Sequence, residues 1–266
     1  MENVKIVFVD LDGTLKDNEG KVSIRNKKVF ERLMDKGINI VIATGRSLPD
    51  AMTYSKQFST SNYVISSNGA EIYNYLTKET IYKSIISKTD VLMIDELVQK
   101  YDLFFIANCL DKTYTNKPYN EPGKKVVSTL KEIEEDISQI IIESFELEKM
   151  KLFRRDFGNI EHLKISNKSR NPENTDEILF YDITCNDVSK GNAVKILCEY
   201  LKINMDKTMA IGDSNNDLEM LQNVQVKVAM NNATEDIKKI ANYITLSNEQ
   251  EGVAIILEKL YSEIDN

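Results

Sequence analysis

The sequence predicts an α/β protein in which a doubly wound, mainly parallel Rossmann-like core sheet is interrupted by a smaller inserted α/β domain. Two observations predict it. Three apolar runs of strand length, Val4–Val9, Ile38–Ala43 and Thr208–Ile211, each lead into polar residues and then a helix start, as buried parallel strands feeding helices do. The polar motifs that follow these runs fall in residues 1–81 and 184–266, and the stretch 82–183 lacks them. The expected organisation is therefore a core in two parts, 1–81 and 184–266, with an insert over 82–183.

The first run ends in Asp10-Leu11-Asp12-Gly13-Thr14. In open α/β sheets chemistry gathers at the carboxyl ends of the strands, so both acids would stand at the mouth of the sheet. Asp10, held by the strand, could attack an electrophile, and Asp12 could handle protons if its surroundings set a different pKa. An Asp-rich turn after a strand is the plain alternative. The second run ends in Thr44-Gly45-Arg46, with Ser47 and Pro49 starting a helix. The Thr44 hydroxyl and neighbouring backbone N–H groups could hold a phosphate oxygen, or the tripeptide could be an ordinary turn. Tyr63–Ser66 and Glu71–Tyr75 read as strands joined by a two-residue Asn68-Gly69 hairpin turn.

Across the insert, Val91, Ile94, Leu97, Val98 and Tyr101 recur at helical spacing within Asp90–Tyr101, and Leu103–Asn108 reads as a strand. Ser144–Phe157 reads as a helix, His162–Ser166 and Glu177–Ile183 as strands, and 111–125 and 167–175 as loops. Lys149, Lys151, Arg154 and Arg155 on the second helix could line an entrance, although a charged helix face is usually just solvated. His162 is the only histidine and is expected to be structural.

Beyond the insert, Ser189 reads as the N-cap of a helix carrying Val194, Leu197 and Leu201. Lys190 then sits in a first turn, where positive charge is disfavoured by about 0.3–1 kcal/mol, and Gly191 costs about 1 kcal/mol against Ala in a helix. An anion at that end would account for both, with Lys190 pairing a phosphate or the nucleophilic carboxylate. The third run ends in Gly212-Asp213-Ser214-Asn215-Asn216-Asp217, followed by a short helix through Leu218, Met220 and Leu221. Asp10, Asp12, Asp213 and Asp217 can thus face one mouth. Oxygen ligands without His or Cys suit magnesium.

The 42% hydrophobic content supports a packed core, and 42 acidic against 34 basic residues give a net charge of −8 with no footprint for nucleic acid. Cys109, Cys185 and Cys198 show no metal or redox spacing, so buried thiols are expected. No charged-then-apolar leader and no apolar stretch of about 20 residues is visible. A soluble cytoplasmic protein without membrane partners is the expectation.

Taken together, Asp10-x-Asp12, Thr44-Gly45-Arg46, Lys190 and Gly212-Asp213-x-x-Asn216-Asp217, in this order, resemble the haloacid dehalogenase superfamily. The narrower likeness is to its Cof-type sugar-phosphatase-like branch. That branch is also similar in Ser67-Asn68-Gly69-Ala70, in Val228-Ala229-Met230 and in Ser247-Asn248-Glu249 followed by Gly252-Val253. Asn231 departs from it, since relatives usually carry glycine there; Asn tolerates the left-handed region comparatively well.

The resemblance implies a magnesium-dependent phosphatase acting on a small phosphorylated metabolite such as a sugar phosphate. Asp10 would attack phosphorus to give an aspartyl-phosphate, and Asp12 would protonate the leaving alcohol and then activate water. Magnesium would be held by the Asp10 and Asp213 side chains and the Asp12 carbonyl, with Asp217 supporting it directly or through water. Thr44, Gly45, Lys190 and Asn216 would bind the phosphoryl group, and Arg46 and Asn68 are further substrate candidates. Arg46 could equally be a structural ion pair. The resemblance also implies that the insert is a cap closing over the site, which would exclude water and choose the substrate.

A serine hydrolase built on Ser214 fails because no histidine follows it. A phosphosugar mutase stays open. A non-catalytic receiver or sugar-phosphate sensor is opposed by Asp12, for which it has no use.

Overall fold

A computed structural model describes residues 4–21, 23–118, 124–158, 160–167 and 179–262. The chain divides into two compact units, Met1–Tyr82 with Ser189–Asn266, and Lys83–Val188.

The first unit begins with β1 (Ile6–Val9), buried along its whole length, as a strand covered on both faces requires. α1 (Ile24–Asp35) starts at Ser23, whose hydroxyl accepts from Asn26 N, and buries Val29, Phe30 and Leu33. β2 (Asn39–Ala43) leads to α2 (Leu48–Gln57), with Pro49 in its first turn where a missing N–H costs nothing. β3 (Tyr63–Ser66) pairs antiparallel with β4 (Glu71–Asn74), and β5 (Glu79–Lys83) lies next to β4 at the sheet edge. The β3–β4 connection is not a two-residue turn. Ser66 pairs with Glu71, so four residues bridge the strands, three of them with positive φ: Ser67 (49°), Asn68 (57°) and Gly69 (100°).

Among the described residues the second unit is a six-stranded sheet with two α-helices. It comprises α3 (Lys88–Tyr101), β6 (Phe104–Cys109), β7 (Thr113–Thr115), β8 (Lys124–Val126), β9 (Ile137–Ser144), α4 (Leu147–Phe157), β10 (Leu163–Asn167) and β11 (Leu179–Cys185), with strand order β10-β11-β9-β6-β7-β8. Ser87 caps α3 by accepting from Asp90 N. The core joins Val91, Ile94 and Val98 of α3 to Met150 and Phe153 of α4 and to Phe105, Ile140, Ile142 and Ile183 of the sheet.

Three expectations change here. The expected loop over 111–125 contains β7 and the start of β8, and its Pro122 and Gly123 lie outside the described residues, as does the expected loop past Asn167. The helix expected from Ser144 begins at Leu147, because Ile140-Ile141-Ile142 carry β9 as far as Ser144. His162 lies exposed in the turn before β10, where its carbonyl accepts from Asn186 N.

Returning to the first unit, α5 (Lys190–Tyr200) is capped by Ser189, whose hydroxyl accepts from Asn192 N. β12 (Thr208–Gly212), α6 (Leu218–Asn223), β13 (Val226–Ala229), α7 (Glu235–Ile240), β14 (Tyr243–Ile244) and α8 (Gly252–Ser262) follow. The sheet order is β14-β13-β12-β1-β2-β3-β4-β5, with parallel pairing from β14 to β3. The chain winds outward in opposite directions from β1 and β12, so the crevice at their carboxyl ends is the topological switch point. No helix of the described residues is long and apolar enough to cross a membrane.

Cys109 and Cys198 are buried, but Cys185 is half-buried, with Sγ donating to the Ile85 carbonyl. Asn231 is not among the residues with positive φ, so its backbone has no need of glycine. The cationic face of α4 is paired locally: Lys149 with Glu146 (2.7 Å), Lys151 with Glu148 (2.8 Å) and Arg155 with Asp156 (2.8 Å), while Arg154 lies over the Tyr181 ring.

Candidate active site

Asp10 directly follows β1, and its N–H donates to the Ile211 carbonyl, extending the β1–β12 pairing by one step and burying the side chain at the switch point. Residues 11–16 then curl back, with Leu15 N and Lys16 N both donating to the Leu11 carbonyl. This brings Gly13 (φ +86°) so close to Asp213 that a Cβ would lie 2.5 Å from Oδ2. A side chain there would evict the acid. Thr14 Oγ1 donates to Asp213 Oδ1 at 2.8 Å and so orients it.

Lys190 opens α5 and is 1% exposed. Its Nζ donates to Asp10 Oδ1 (2.5 Å) and to Asp217 Oδ1 (2.6 Å). Asp217 lies at the end of a short 3-10 turn before α6, and its Oδ2 accepts from Asp213 N (3.0 Å) and Ser214 N (3.1 Å). Gly212 permits this arrangement, because a Cβ would meet the Asp217 carboxyl at 2.7 Å. Of the two partners left open for Lys190, the nucleophile candidate is the one it touches. Gly191 also finds a steric reason: a Cβ would lie 2.6 Å from the Glu219 backbone of α6.

Oxygens of Asp10, Asp213 and Asp217 lie within 4.8 Å of one another. Three carboxylates against one ammonium leave two negative charges in a buried site, which a divalent cation would balance. The electrostatics record the excess. Burial, then the Asp217 charge, push Asp10 well above the usual carboxylate range despite Lys190. Asp213 is pushed up to about 6 by burial and then by Asp217, against the Thr14 hydrogen bond. Burial would lower Lys190, but the Asp10 and Asp217 charges outweigh it and raise its pKa. The donor set fits a hard divalent ion.

Asp12 stands outside this group. Arg46 grips its carboxylate with two bonds, Nε to Oδ2 (2.7 Å) and Nη2 to Oδ1 (2.8 Å), and Lys16 Nζ adds a third to Oδ1 (3.1 Å). Burial would raise the Asp12 pKa, but the Arg46 hydrogen bonds and charge, then Lys16, bring it down to about 2. Arg46 is thus an ion-pair partner of Asp12.

A third chain of contacts crosses the floor of the site. Thr44, at the end of β2 and 1% exposed, accepts from Arg46 N through Oγ1 (3.2 Å) and from Asn68 N through its carbonyl (3.0 Å). Gly45 forms the turn between Thr44 and Arg46. Asn68 Oδ1 accepts from Asn216 Nδ2 (3.0 Å). Gly69 packs against the capping turn of α5, where a Cβ would meet the Ser189 carbonyl oxygen at 2.3 Å.

The Ser247-Asn248-Glu249 segment ties down the loop after the first acids: Asn248 Nδ2 donates to the Lys16 carbonyl (2.8 Å) and Glu249 Oε1 accepts from Asn18 N (2.5 Å). Sequence reasoning passed over Lys16. Only its i,i+4 spacing from Asp12 hinted at a pair.

Residues 7–257 match the family of haloacid dehalogenase-like hydrolases. The chain is 30% identical over 254 residues to a 5-amino-6-(5-phospho-D-ribitylamino)uracil phosphatase of Bacillus subtilis, covering 95% of this chain and 94% of that protein. It is 28% identical over 292 residues to another phosphatase of the same organism, covering 97% and 100%. Its fold is similar to that of a haloacid dehalogenase-like hydrolase from Bacteroides thetaiotaomicron (TM-score 0.86, 25% identity, 97% of this chain and 99% of the other). A second such hydrolase, from B. subtilis, gives a TM-score of 0.83 at 27% identity, covering 97% and 100%.

Proposed function

The chain belongs to the haloacid dehalogenase-like hydrolases, and from that premise we propose that this phosphatase hydrolyses a small phosphomonoester through a phosphorylated Asp10, with magnesium as cofactor. The observation that carries the reading is the separation of two acid environments at one switch point. Asp10 is buried against Lys190, Asp213 and Asp217, whereas Asp12 faces Arg46 and Lys16.

Lys190 fixes Asp10 Oδ1 and removes the torsional freedom the nucleophile would otherwise have. An Asp10 oxygen attacks phosphorus and the bond to the leaving oxygen breaks; Asp12, ionised while Arg46 and Lys16 hold it, takes up a proton from solvent as Arg46 turns to the bound substrate and delivers it to that oxygen. In the second half, water gives its proton to Asp12 and attacks phosphorus, the Asp10–phosphorus bond breaks, and inorganic phosphate leaves. Thr44, Lys190 and Asn216, with the backbone of Gly45, hold the transferring group. Magnesium, held by Asp10, Asp213 and the Asp12 carbonyl with Asp217 behind them, would neutralise charge developing on the phosphoryl oxygens. A relative named for a phosphoribityl substrate supports a polyol or sugar phosphate as the leaving side.

The test is phosphate release with magnesium across sugar and polyol phosphates, nucleotides, flavin mononucleotide and pyridoxal phosphate. Asp10→Asn should abolish turnover of every substrate. Asp12→Asn should lower it by about 10²–10⁴-fold on alkyl esters, and should leave a phosphorylated Asp10 detectable by mass spectrometry with p-nitrophenyl phosphate. Full turnover in Asp10→Asn would refute the mechanism.

A further inference from the structure

Lys16 has no part in the chemistry above, yet it is 6% exposed. A buried ammonium is costly unless it is paired. Its Nζ lies 3.1 Å from Asp12 Oδ1 and 4.7 Å from the centre of the Tyr54 ring. The Arg46 guanidinium lies 5.5 Å from the same ring. Tyr54 is thus a platform for two cations that converge on one carboxylate, an arrangement favoured by the negative face of an aromatic ring.

The two cations differ in access. The Arg46 side chain is 36% exposed and that of Lys16 7%, so Arg46 is the more accessible of the two to a substrate arriving from solvent. Charge balance alone would need only one cation. Three hydrogen bonds, two to Oδ1 and one to Oδ2, fix the plane of the carboxylate as well as its position. In an in-line displacement the attacking and leaving oxygens lie on opposite sides of phosphorus, so a group that protonates the leaving oxygen has to be kept apart from the nucleophile's cluster. Asp12 is so kept.

We propose that Lys16, seated on Tyr54, is a positioning residue for Asp12, holding its carboxylate towards the leaving oxygen and keeping it there when Arg46 turns to substrate. The proposal rests on the assignment of Asp12 as acid and base. Lys16 takes no role on phosphate, because its ammonium is directed at Asp12 Oδ1 and the Tyr54 ring. Nor does the surrounding loop depend on its ammonium: the Lys16 N–H donates to the Leu11 carbonyl and its carbonyl accepts from Asn248, contacts that any side chain preserves.

The experiment compares the full chain with Lys16→Met, Lys16→Arg and Asp12→Asn, in magnesium, on p-nitrophenyl phosphate and on an alkyl phosphate turned over by the wild type. Displacement of a catalytic group by about 1 Å can cost on the order of 10²-fold. Lys16→Met should therefore lower kcat on the alkyl ester by about ten- to a hundredfold, with KM little changed. Loss on the aryl ester, whose leaving group hardly needs a proton, should be several times smaller. Lys16→Arg should recover most of the alkyl activity. Equal losses on the two esters, or none, while Asp12→Asn does discriminate between them, would overturn the role of Lys16 alone. If Asp12→Asn shows no leaving-group dependence, the assignment of Asp12 falls and the proposal with it. If thermal melting shows that Lys16→Met does not fold, Tyr54→Leu removes the platform while sparing the ion pair, and the same two-ester comparison decides.

Discussion

At the scale of single residues, Lys190 governs the balance of the site. Among the described residues it is the one cation bonded to the buried acids, to two of the three. Removing one partner of a buried ionic network leaves uncompensated charge, typically at a cost of about 3–5 kcal/mol. Lys190→Met in chelated protein should therefore lose stability of about that size in urea denaturation at pH 7, besides losing activity. A near-neutral change would mean that water or protonation already relieves the acids. Gly69 makes the second residue-scale case. Its φ of +100° and the Ser189 carbonyl 2.3 Å from a built Cβ leave alanine no room, and strained backbone of this kind costs about 1–3 kcal/mol. Because Ser189 caps the helix that begins with Lys190, Gly69→Ala should lower both the melting temperature and kcat. Loss of stability alone, with kcat intact, would separate the loop from the site.

At the scale of elements, Gly191 reverses an ordinary rule. Gly→Ala inside a helix normally gains about 1 kcal/mol, yet here α5 and α6 approach so closely that the Cβ would lie 2.6 Å from the Glu219 backbone. Gly191→Ala should thus lower the melting temperature, and a rise would show that the helices can part at no cost. The sequence carries the steric demand only as an unexplained glycine, which fits a ligand equally well until α6 is seen. Elements that end in the acidic motifs were legible because apolar runs, turn residues and helix starts agree, as at Val4–Val9 with Asp10 and at Thr208–Ile211 with Gly212 and Asp213. β9 was not. Ser138 and Gln139 are polar and yet completely buried, which hides the strand from any hydrophobic period, and Gln139 finds partners across the sheet in Asn108 and Asp182. Likewise the Arg46–Asp12 pair spans 34 positions, and Thr14–Asp213 spans 199. Pairings of that range are set by topology.

At the scale of the whole molecule, the buried acids tie folding to pH and to metal. Asp213 titrates at about 6 in the folded chain against an ordinary 3.8, and Asp10 is shifted the same way. Between about pH 4 and 6 the folded state therefore binds more protons than the unfolded one, and stability must fall as pH rises through that window. Asp12 has the opposite sign: its pKa of about 2 contributes stability that is present above about pH 4 and lost only as pH drops towards 2. The two windows do not overlap. Chelated protein should accordingly melt at a higher temperature at pH 5 than at pH 7, and Asp213→Asn should flatten that difference. If magnesium is held as proposed, it should add stability by binding the folded state, and most at pH 7, where Asp213 is ionised. Scanning calorimetry at the two pH values, with and without the ion, reads all of this at once. A melting temperature that rose from pH 5 to pH 7 in the chelated wild type, or that ignored magnesium at pH 7, would mean that the three acids do not share an unbalanced charge, and the metal would have to be sought elsewhere.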